Sequence, residues 1–282
     1  MAELVGIFAV SHAPPIVRDW DRIDSGRRAR MDSAFAQLGE RILAARPDVM
    51  VVIGADHWTN FFLNNMPAMC VGVGTDHSGP PEPWLADYPH AMRGHPALAM
   101  HLAHSAFAQG FEPSVSHQLR LDHGFCVPLW KAGVASLPPI VPIIINVMQA
   151  PFPTVGRCIG FGQVCADAVR SFSAPLRVVL LASGGMSHSV GEARMGMIDE
   201  MFDRDCLEAF AAGGAAPISA LLSDQRMAAA GNGAHELRFW AAAHGAAGCQ
   251  GFDLLHYEAV PETYTGCGFA QWHLRTDAKE SV

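Results

Sequence analysis

The feature that most constrains the fold is a short apolar run, Val49–Ile53, followed closely by Asp56 and His57. The run is shorter than a typical buried helix, and its valines and isoleucine favour an extended backbone. We interpret it as a buried strand that carries polar side chains to its carboxyl end, where ligands bind in open α/β sheets. An isolated histidine there is more often structural than functional. The role of His57 therefore depends on which other segments supply partners for it.

A second apolar run of the same design, Leu4–Val10, ends at Ser11 and His12 and is stopped by two prolines. Between the two runs, Arg28–Ala45 carries apolar residues at steps of three and four, which predicts an amphipathic helix. This order of strand, helix and strand predicts a parallel pair with a right-handed crossover. Such a pair would bring His12 and His57 side by side.

Later segments continue the alternation of helices and apolar strands, and the sequence shows neither an internal repeat nor a linker. It therefore predicts one α/β domain over residues 1–282, with a central mostly parallel or mixed sheet flanked by helices and an active site at the carboxyl ends of the strands. The polar tail from about residue 276 is expected to be frayed. The further predicted elements are helices at Ala97–Gln109, Val155–Phe172 and Glu192–Ala211, and strands at Ile140–Val147 and Leu176–Ala182.

The segment from Met66 to Pro96 is rich in proline, glycine and polar residues. We predict a long surface loop here, of the kind that often serves as a functional lid. It contains His77, His90 and His95. Their irregular spacing favours solvated loop residues over a metal site.

Composition excludes several classes of function. With 19 basic and 27 acidic residues the net charge is −8 and there is no basic run, which argues against a nucleic-acid partner. No apolar stretch is long enough for a signal or membrane segment, so no membrane association is expected. The seven scattered cysteines fit reduced thiols better than a disulfide framework. We therefore expect a cytoplasmic protein.

Two further histidines follow segments suited to a binding site. His123 comes directly after Asp122 and forms the second Asp-His pair of the chain. His188 follows the glycine-rich sequence Ser183–Ser187, which allows the backbone to turn closely around a ligand. Ser187 lacks the surroundings of a hydrolase nucleophile, and adjacent residues of an extended chain point to opposite sides, so His188 is a poor base for it. His188 is therefore a better candidate than Ser187 for a catalytic role.

A last helix is predicted to begin near Asn232, a residue type favoured at helix N-caps. Glu236 would lie in its first turn, among tryptophan, phenylalanine and alanine residues. It either interacts with the helix dipole or points inward as a ligand, and the local sequence does not distinguish the two. Two histidines at strand ends plus one carboxylate is nevertheless the ligand composition of a facial-triad iron(II) site, and the two remaining histidines suit acid–base catalysis.

The chain resembles the class III, LigB-type extradiol ring-cleaving dioxygenases. The resemblance covers about residues 4 to 272 and implies an iron(II) centre held by His12, His57 and Glu236. It also implies that His188 is the acid–base residue and that His123 contacts substrate and oxygen intermediates. The segments that carry the resemblance, in the family's order, are Ser11-His12-x-Pro14, Asp56-His57, Asp122-His123-Gly124-Phe125, Ser183–His188 and His235-Glu236.

The resemblance further implies a catecholic or aminophenol-type substrate and O2, with cleavage beside the diol during the degradation of aromatic compounds. Thr263 is expected to face the substrate. We expect a homo-oligomer, with a separate small partner subunit left open. Two alternatives remain from the residues alone: a metal-binding family member that acts through protein partners without ring cleavage, and a zinc-dependent hydrolase, because two histidines and a glutamate also suit zinc.

Overall fold

An eight-stranded β-sheet forms the centre of the computed structural model, which describes residues 1–134 and 138–274. The strands of the described residues are β1 Glu3–Val10, β2 Val49–Gly54, β3 Met69–Gly72, β4 Asp76–Ser78, β5 Ala91–Arg93, β6 Ser114–Ser116, β7 Ile140–Ile145, β8 Arg177–Ser183, β9 Phe252–Val260 and β10 Thr265–Trp272. The helices are α1 Pro15–Arg18, α2 Ser25–Ala44, α3 Pro96–Ala108, α4 His123–Lys131, α5 Val155–Ser171, α6 Glu200–Ala212, α7 Ala215–Leu221, α8 Asp224–Ala230 and α9 Leu237–Ala246. Short 3₁₀ helices lie at Trp20–Arg22, Pro83–Leu85, Asn232–Glu236 and Pro261–Thr263.

The strand order of the central sheet is β6-β3-β7-β2-β8-β1-β10-β9. The four strands β7, β2, β8 and β1 are parallel, whereas β3 pairs antiparallel with β7, and β10 with β1. The sheet is therefore mixed, with a parallel centre. All four parallel strands deliver their carboxyl ends to the same edge, which is the edge that the sequence predicts for the site.

Helices cover both faces of the sheet, which confirms the predicted α/β class. Alternate residues of β2 face opposite sides: Val51 and Ile53 pack in the core with α3, α5 and α9, while Met50 and Val52 pack in the core with α2 and α4. Because both faces are covered, the central strands are apolar throughout, and Val49–Ile53 is no more than 1% exposed. This burial on both faces explains why β2 appears in the sequence as a continuous apolar run.

The predicted helix at Arg28–Ala45 is confirmed as α2, although it begins three residues earlier, at Ser25. The Asp24 side chain caps it by accepting a hydrogen bond from the Arg27 N–H. Its buried positions are the apolar residues that predicted it, Met31, Phe35, Leu38 and Ile42.

The prediction that β1 and β2 are neighbours is wrong. Strand β8 lies between them and pairs in parallel with both. Local sequence cannot reveal such an insertion, because β8 is more than 120 residues later in the chain than β2. The consequence for the site is small, since β1 and β2 still run in the same direction and end at the same edge.

The interpretation of residues 66–96 as one open surface loop is also wrong. The segment contributes β3 to the central sheet, and β4 and β5 form a separate two-stranded antiparallel sheet. His77, expected to be solvated, is 1% exposed, and its Nδ1 accepts a hydrogen bond from the Leu119 N–H. His90 bonds backbone carbonyls and His95 caps α3.

Two helix starts differ from the prediction. The helix expected from Glu192 begins at Glu200, because the preceding residues form turns. Asn232 does not cap a helix: its side chain is bonded to the backbone of Val190, and Asn232–Glu236 forms a 3₁₀ turn ahead of α9. Glu236 is thereby placed at the junction of the two helical segments.

In the described part of the chain, none of the helices combines the length and apolar character needed to cross a membrane. The tail expected to be frayed, from about residue 276, lies outside the described residues.

Candidate active site

A cavity of about 470 Å³ lies at the carboxyl edge of the parallel strands, a volume typical of small-molecule sites. Each of the four parallel strands contributes lining residues just beyond its end, among them Met148 after β7. The structure brings together in this cavity all the residues predicted from sequence, namely His12, His57, His123, His188, Glu236 and Thr263.

His12 follows β1 and is 3% exposed. Its Nδ1 is 3.0 Å from Ser183 Oγ, at the end of β8. The Ser183 hydroxyl donates its hydrogen to the Gly124 carbonyl, so it accepts from the histidine. Nδ1 of His12 therefore carries the proton, and Nε2 presents a lone pair.

His57 follows β2 and is held by the buried Asp122 carboxylate. Asp122 Oδ2 accepts from the His57 backbone N–H at 2.7 Å and lies 3.3 Å from its Nδ1. The carboxylate partner holds a ring proton on Nδ1, so Nε2 is the atom that would bind a cation in place of its own proton. Asp56, beside His57, has a different function: its carboxylate accepts the backbone N–H groups of Thr59, Asn60 and Phe61 and fixes the following loop.

Glu236 is 4% exposed and lies between the two rings. Its Oε1 is 3.3 Å from His12 Nε2 and 3.5 Å from His57 Nε2, and its Oε2 accepts the Gly185 N–H at 2.7 Å. Of the two readings of Glu236, the structure thus favours the inward one. We refer to His12, His57 and Glu236 as the floor of the cavity.

The floor fits a divalent cation. Donor atoms that share one ion at about 2.1 Å lie roughly 3 Å apart when their bonds are near perpendicular, which is close to the spacings seen here. Both imidazoles direct Nε2 toward the buried carboxylate, which supplies negative charge. Ring nitrogens of His12, His57 and His123 also lie within 4.8 Å of one another, so the arrangement offers His123 as a further donor.

His123 and His188 carry their protons on Nδ1 as well. His123 begins α4, and its Nδ1 is 2.7 Å from Glu82 Oε1. His188 Nδ1 is 3.0 Å from the Met186 carbonyl, which can only accept. The His188 ring packs against Gly233, where a Cβ would collide with it. Both rings line the cavity and retain an Nε2 lone pair.

The pKa values of three cavity histidines are shifted in different directions. Burial lowers the pKa of His57, but the Asp122 and Glu236 carboxylates outweigh it and raise the pKa to about 10. Burial also lowers the pKa of His188, which Glu236 only partly opposes, and burial with the charge of His57 lowers the pKa of His123. The carboxylates around His57 therefore favour a positive charge on the floor, whereas His123 and His188 are neutral at pH 7 and able to accept protons.

The rim of the cavity, which we define as Arg18, Trp58, Met148, Val190, Met195 and Tyr264, is apolar apart from one guanidinium. Arg18 forms an ion pair with Asp19 at 2.7 Å. Thr263 lies nearby, and its hydroxyl donates to the Val260 carbonyl, so toward the cavity it can only accept a hydrogen bond.

Sequence analysis missed three residues that the structure connects to the site. Glu82 lies in a segment interpreted as loop, Asp203 lies on α6, and Arg18 is a surface-type residue in sequence. Asp203 is fully buried and accepts hydrogen bonds from Ser187 and Tyr257, and so anchors the turn that carries His188. A charged residue within an amphipathic helix gives no local signal of such a role.

Comparisons with known proteins identify the family and several relatives of this chain. The family described as the catalytic LigB subunit of aromatic ring-opening dioxygenase matches residues 6–271. Relatives include the 2,3-dihydroxyphenylpropionate/2,3-dihydroxicinnamic acid 1,2-dioxygenases of Paraburkholderia phymatum, 26% identical, and Cupriavidus necator, 27% identical, each over 94% of this chain and 93% of the relative. The fold is similar to that of the uncharacterized protein JW3007 from Escherichia coli K12, with a TM-score of 0.62 and 15% identity over 95% of this chain and all of that one.

Proposed function

This chain belongs to the family of the catalytic LigB subunit of aromatic ring-opening dioxygenases, and on that premise we propose that it is a non-haem iron(II)-dependent extradiol dioxygenase. It cleaves the ring of a catechol-type substrate next to the diol and inserts both atoms of O2. The whole chain acts as one catalytic domain in aromatic catabolism.

One observation carries the proposal: four histidines, each with a hydrogen-bond acceptor for its Nδ1–H, line one cavity together with a buried glutamate. Two of these rings contact Glu236 through Nε2, and the other two do not contact it. A cation site needs only the first group. The second group is what proton transfer beside that site requires.

His12, His57 and Glu236 would hold the iron(II). When bound, iron(II) supplies a centre at which a diol and dioxygen are held side by side and exchange electron density. The protein's contribution is orientation: Ser183, Asp122 and the Gly185 N–H fix the three ligand side chains before the ion arrives. Because the floor supplies one carboxylate and two imidazoles, a bound divalent ion would keep positive charge that favours binding of a deprotonated diol.

His188 and His123 would carry out the proton transfers. The lowered pKa values leave both rings neutral, so the Nε2 atom of either can accept a proton from a substrate hydroxyl. We assign the acid–base role to His188, which later returns the proton to the leaving oxygen. His123 would contact the substrate and hydrogen-bond to its oxygens, with Thr263 as a further acceptor in the cavity lining.

The substrate is a catechol or an aminophenol. As their names state, the two relatives act on diols with a carboxylated side chain. In this chain, Arg18 at the otherwise apolar rim would bind the carboxylate of such a substrate. We propose further that the enzyme works in the cytoplasm as a homo-oligomer, and that any small partner subunit is a separate chain.

The test is a substrate screen after anaerobic reconstitution with iron(II) or zinc(II). Catechol, protocatechuate, gallate, 2,3-dihydroxyphenylpropionate and 2-aminophenol are each mixed with the enzyme, and oxygen uptake and a yellow product are recorded. We expect uptake with iron(II) and at least one substrate, and none with zinc(II). No oxygen uptake with either ion would contradict the proposal. Hydrolysis of an ester by the zinc(II) form would then favour the hydrolase alternative, and metal binding without either activity would favour the non-enzymatic one.

A further inference from the structure

Glu82 makes the closest carboxylate contact with a cavity histidine outside the floor. Its Oε1 lies 2.7 Å from Nδ1 of His123 and 3.1 Å from the His123 backbone N–H. Both donors belong to the same residue, so one carboxylate oxygen fixes the ring and the backbone of His123 together. This arrangement parallels the contact between Asp122 and His57 on the floor.

The second oxygen of Glu82 makes an unfavourable contribution to the stability of the folded protein. Oε2 is buried and has no hydrogen-bond partner among the described residues. A buried carboxylate oxygen without a partner costs free energy, and an apolar residue would avoid that cost. The position therefore keeps a charged group that packing alone does not favour.

The backbone holds Glu82 rigidly against His123. The Ser78 N–H donates to the Leu119 carbonyl at 3.0 Å, and the Leu121 N–H donates to the Ser78 carbonyl at 2.8 Å. The segments that lead to Glu82 and to His123 are therefore hydrogen-bonded to each other just before the two residues meet. Glu82 itself lies between two prolines, which restrict its backbone. This restriction of the backbone limits movement of the carboxylate away from His123.

The geometry points to Glu82 as the positioning residue of His123: it fixes the imidazole in the tautomer with hydrogen on Nδ1 and directs the Nε2 lone pair into the cavity. Without this partner, the ring could place its proton on Nε2 and could no longer accept one there. The inference rests on the proposed function only for the role that it gives His123. The tautomer itself is a property of the resting protein.

The test measures tautomer and turnover separately. The full-length protein, loaded with the diamagnetic ion zinc(II), is labelled with ¹⁵N at histidine, and the His123 ring signals are assigned by comparison with His123→Gln. Wild type should show protonated Nδ1 and unprotonated Nε2. Glu82→Leu should show a mixture of tautomers. Glu82→Gln should retain the wild-type pattern, because the His123 backbone N–H selects the amide oxygen for the position of Oε1.

Turnover is then measured on the iron(II) enzyme with a diol that the wild type cleaves. We expect kcat of Glu82→Leu to fall about 10- to 100-fold at an unchanged iron content, and kcat of Glu82→Gln to fall no more than about threefold. The matched control is Asp87→Asn, an exposed carboxylate five residues away, which should change neither signal nor rate. A merely structural role would lower the melting temperature and leave the tautomer unchanged.

A wild-type tautomer in Glu82→Leu, or loss of that tautomer in Glu82→Gln, would overturn the inference. If Glu82→Leu does not fold, Glu82→Asp takes its place, since its carboxylate is one methylene short of the ring, and the same two outcomes decide. Should no diol be cleaved by the wild type, the proposed function fails while the ¹⁵N result still decides the role of Glu82.

Discussion

The floor and the rim of the cavity are built in opposite ways. On the floor, His12 and Glu236 are 3% and 4% exposed, and every ring or carboxylate has a second partner that fixes it. On the rim, Val190 is 58% and Met195 49% exposed. Within residues 1–134 and 138–274, the side chain of Arg18, the charged member of the rim, hydrogen-bonds only to its neighbour Asp19. Under the proposed function, the reaction therefore takes place at the floor, where the side chains are held in position. Substrate choice depends on the rim, where several side chains are exposed to solvent.

The largest effect should come from the floor. In Glu236→Gln the shape and the acceptor for the Gly185 N–H remain, but the negative charge between the imidazoles is lost. We expect loss of bound iron and of all detectable ring cleavage, measured by metal analysis and oxygen uptake. The control is Glu208→Gln, an exposed glutamate on α6. Iron content and activity near the wild-type level would show that Glu236 is not a ligand.

The next largest effect should come from His188, which lines the cavity but belongs to neither the floor nor the rim. His188→Ala removes the proposed acid–base group while leaving the floor intact. We expect kcat to fall by about 10² to 10⁴ with iron retained, and His104→Ala, an exposed histidine on α3, to have no effect. Loss of iron together with activity would instead make His188 part of the metal site.

Asp203, which anchors the turn that carries His188, should affect stability in a pH-dependent way. Burial raises the pKa of Asp203 from 3.8 to about 6, against the hydrogen bonds from Tyr257 and Ser187, and the nearby Asp199 adds to the rise. The folded state therefore holds this proton more tightly than the unfolded state, and the resulting stabilisation is present below about pH 4 and lost as the pH rises through about 6.

The free energy of unfolding of the wild type, relative to Asp203→Asn, should accordingly fall by up to about 3 kcal/mol between pH 4 and pH 7. Urea unfolding at several pH values measures it. Asp205→Asn, an exposed carboxylate on the same helix, provides the control. A difference that does not vary with pH would mean that Asp203 titrates normally.

The smallest effect should come from the rim. Arg18→Ala removes a partly exposed guanidinium that Asp19 already partly neutralises. We expect KM for a carboxylated catechol to rise about three- to fivefold, with kcat and the KM for unsubstituted catechol unchanged. Arg22→Ala, a neighbouring arginine outside the cavity lining, is the matched control. An equal rise for both substrates would remove Arg18 from substrate recognition.

Much of the floor could be predicted because strand ends leave a local signal. His12 and His57 each follow a continuous apolar run, and such runs are typical of strands buried on both faces. Glu236 carried a weaker signal, and the predicted helix cap at Asn232 was wrong, since a 3₁₀ turn rather than a capped α-helix presents the carboxylate. Glu82 had no signal, because its partner His123 is 41 residues away and meets it only where the start of the 3₁₀ helix Pro83–Leu85 contacts the start of α4.

The sequence by itself determined the α/β class, the directions of the main strands and the histidines at their ends, because these follow from local periodicity and from residue type. Only the tertiary structure decided that β8 lies between β1 and β2, that residues 66–96 form strands, and which carboxylate meets which ring. Those outcomes depend on contacts between segments far apart in the chain. The free energy of such a contact comes from both partners at once, and neither segment alone encodes it.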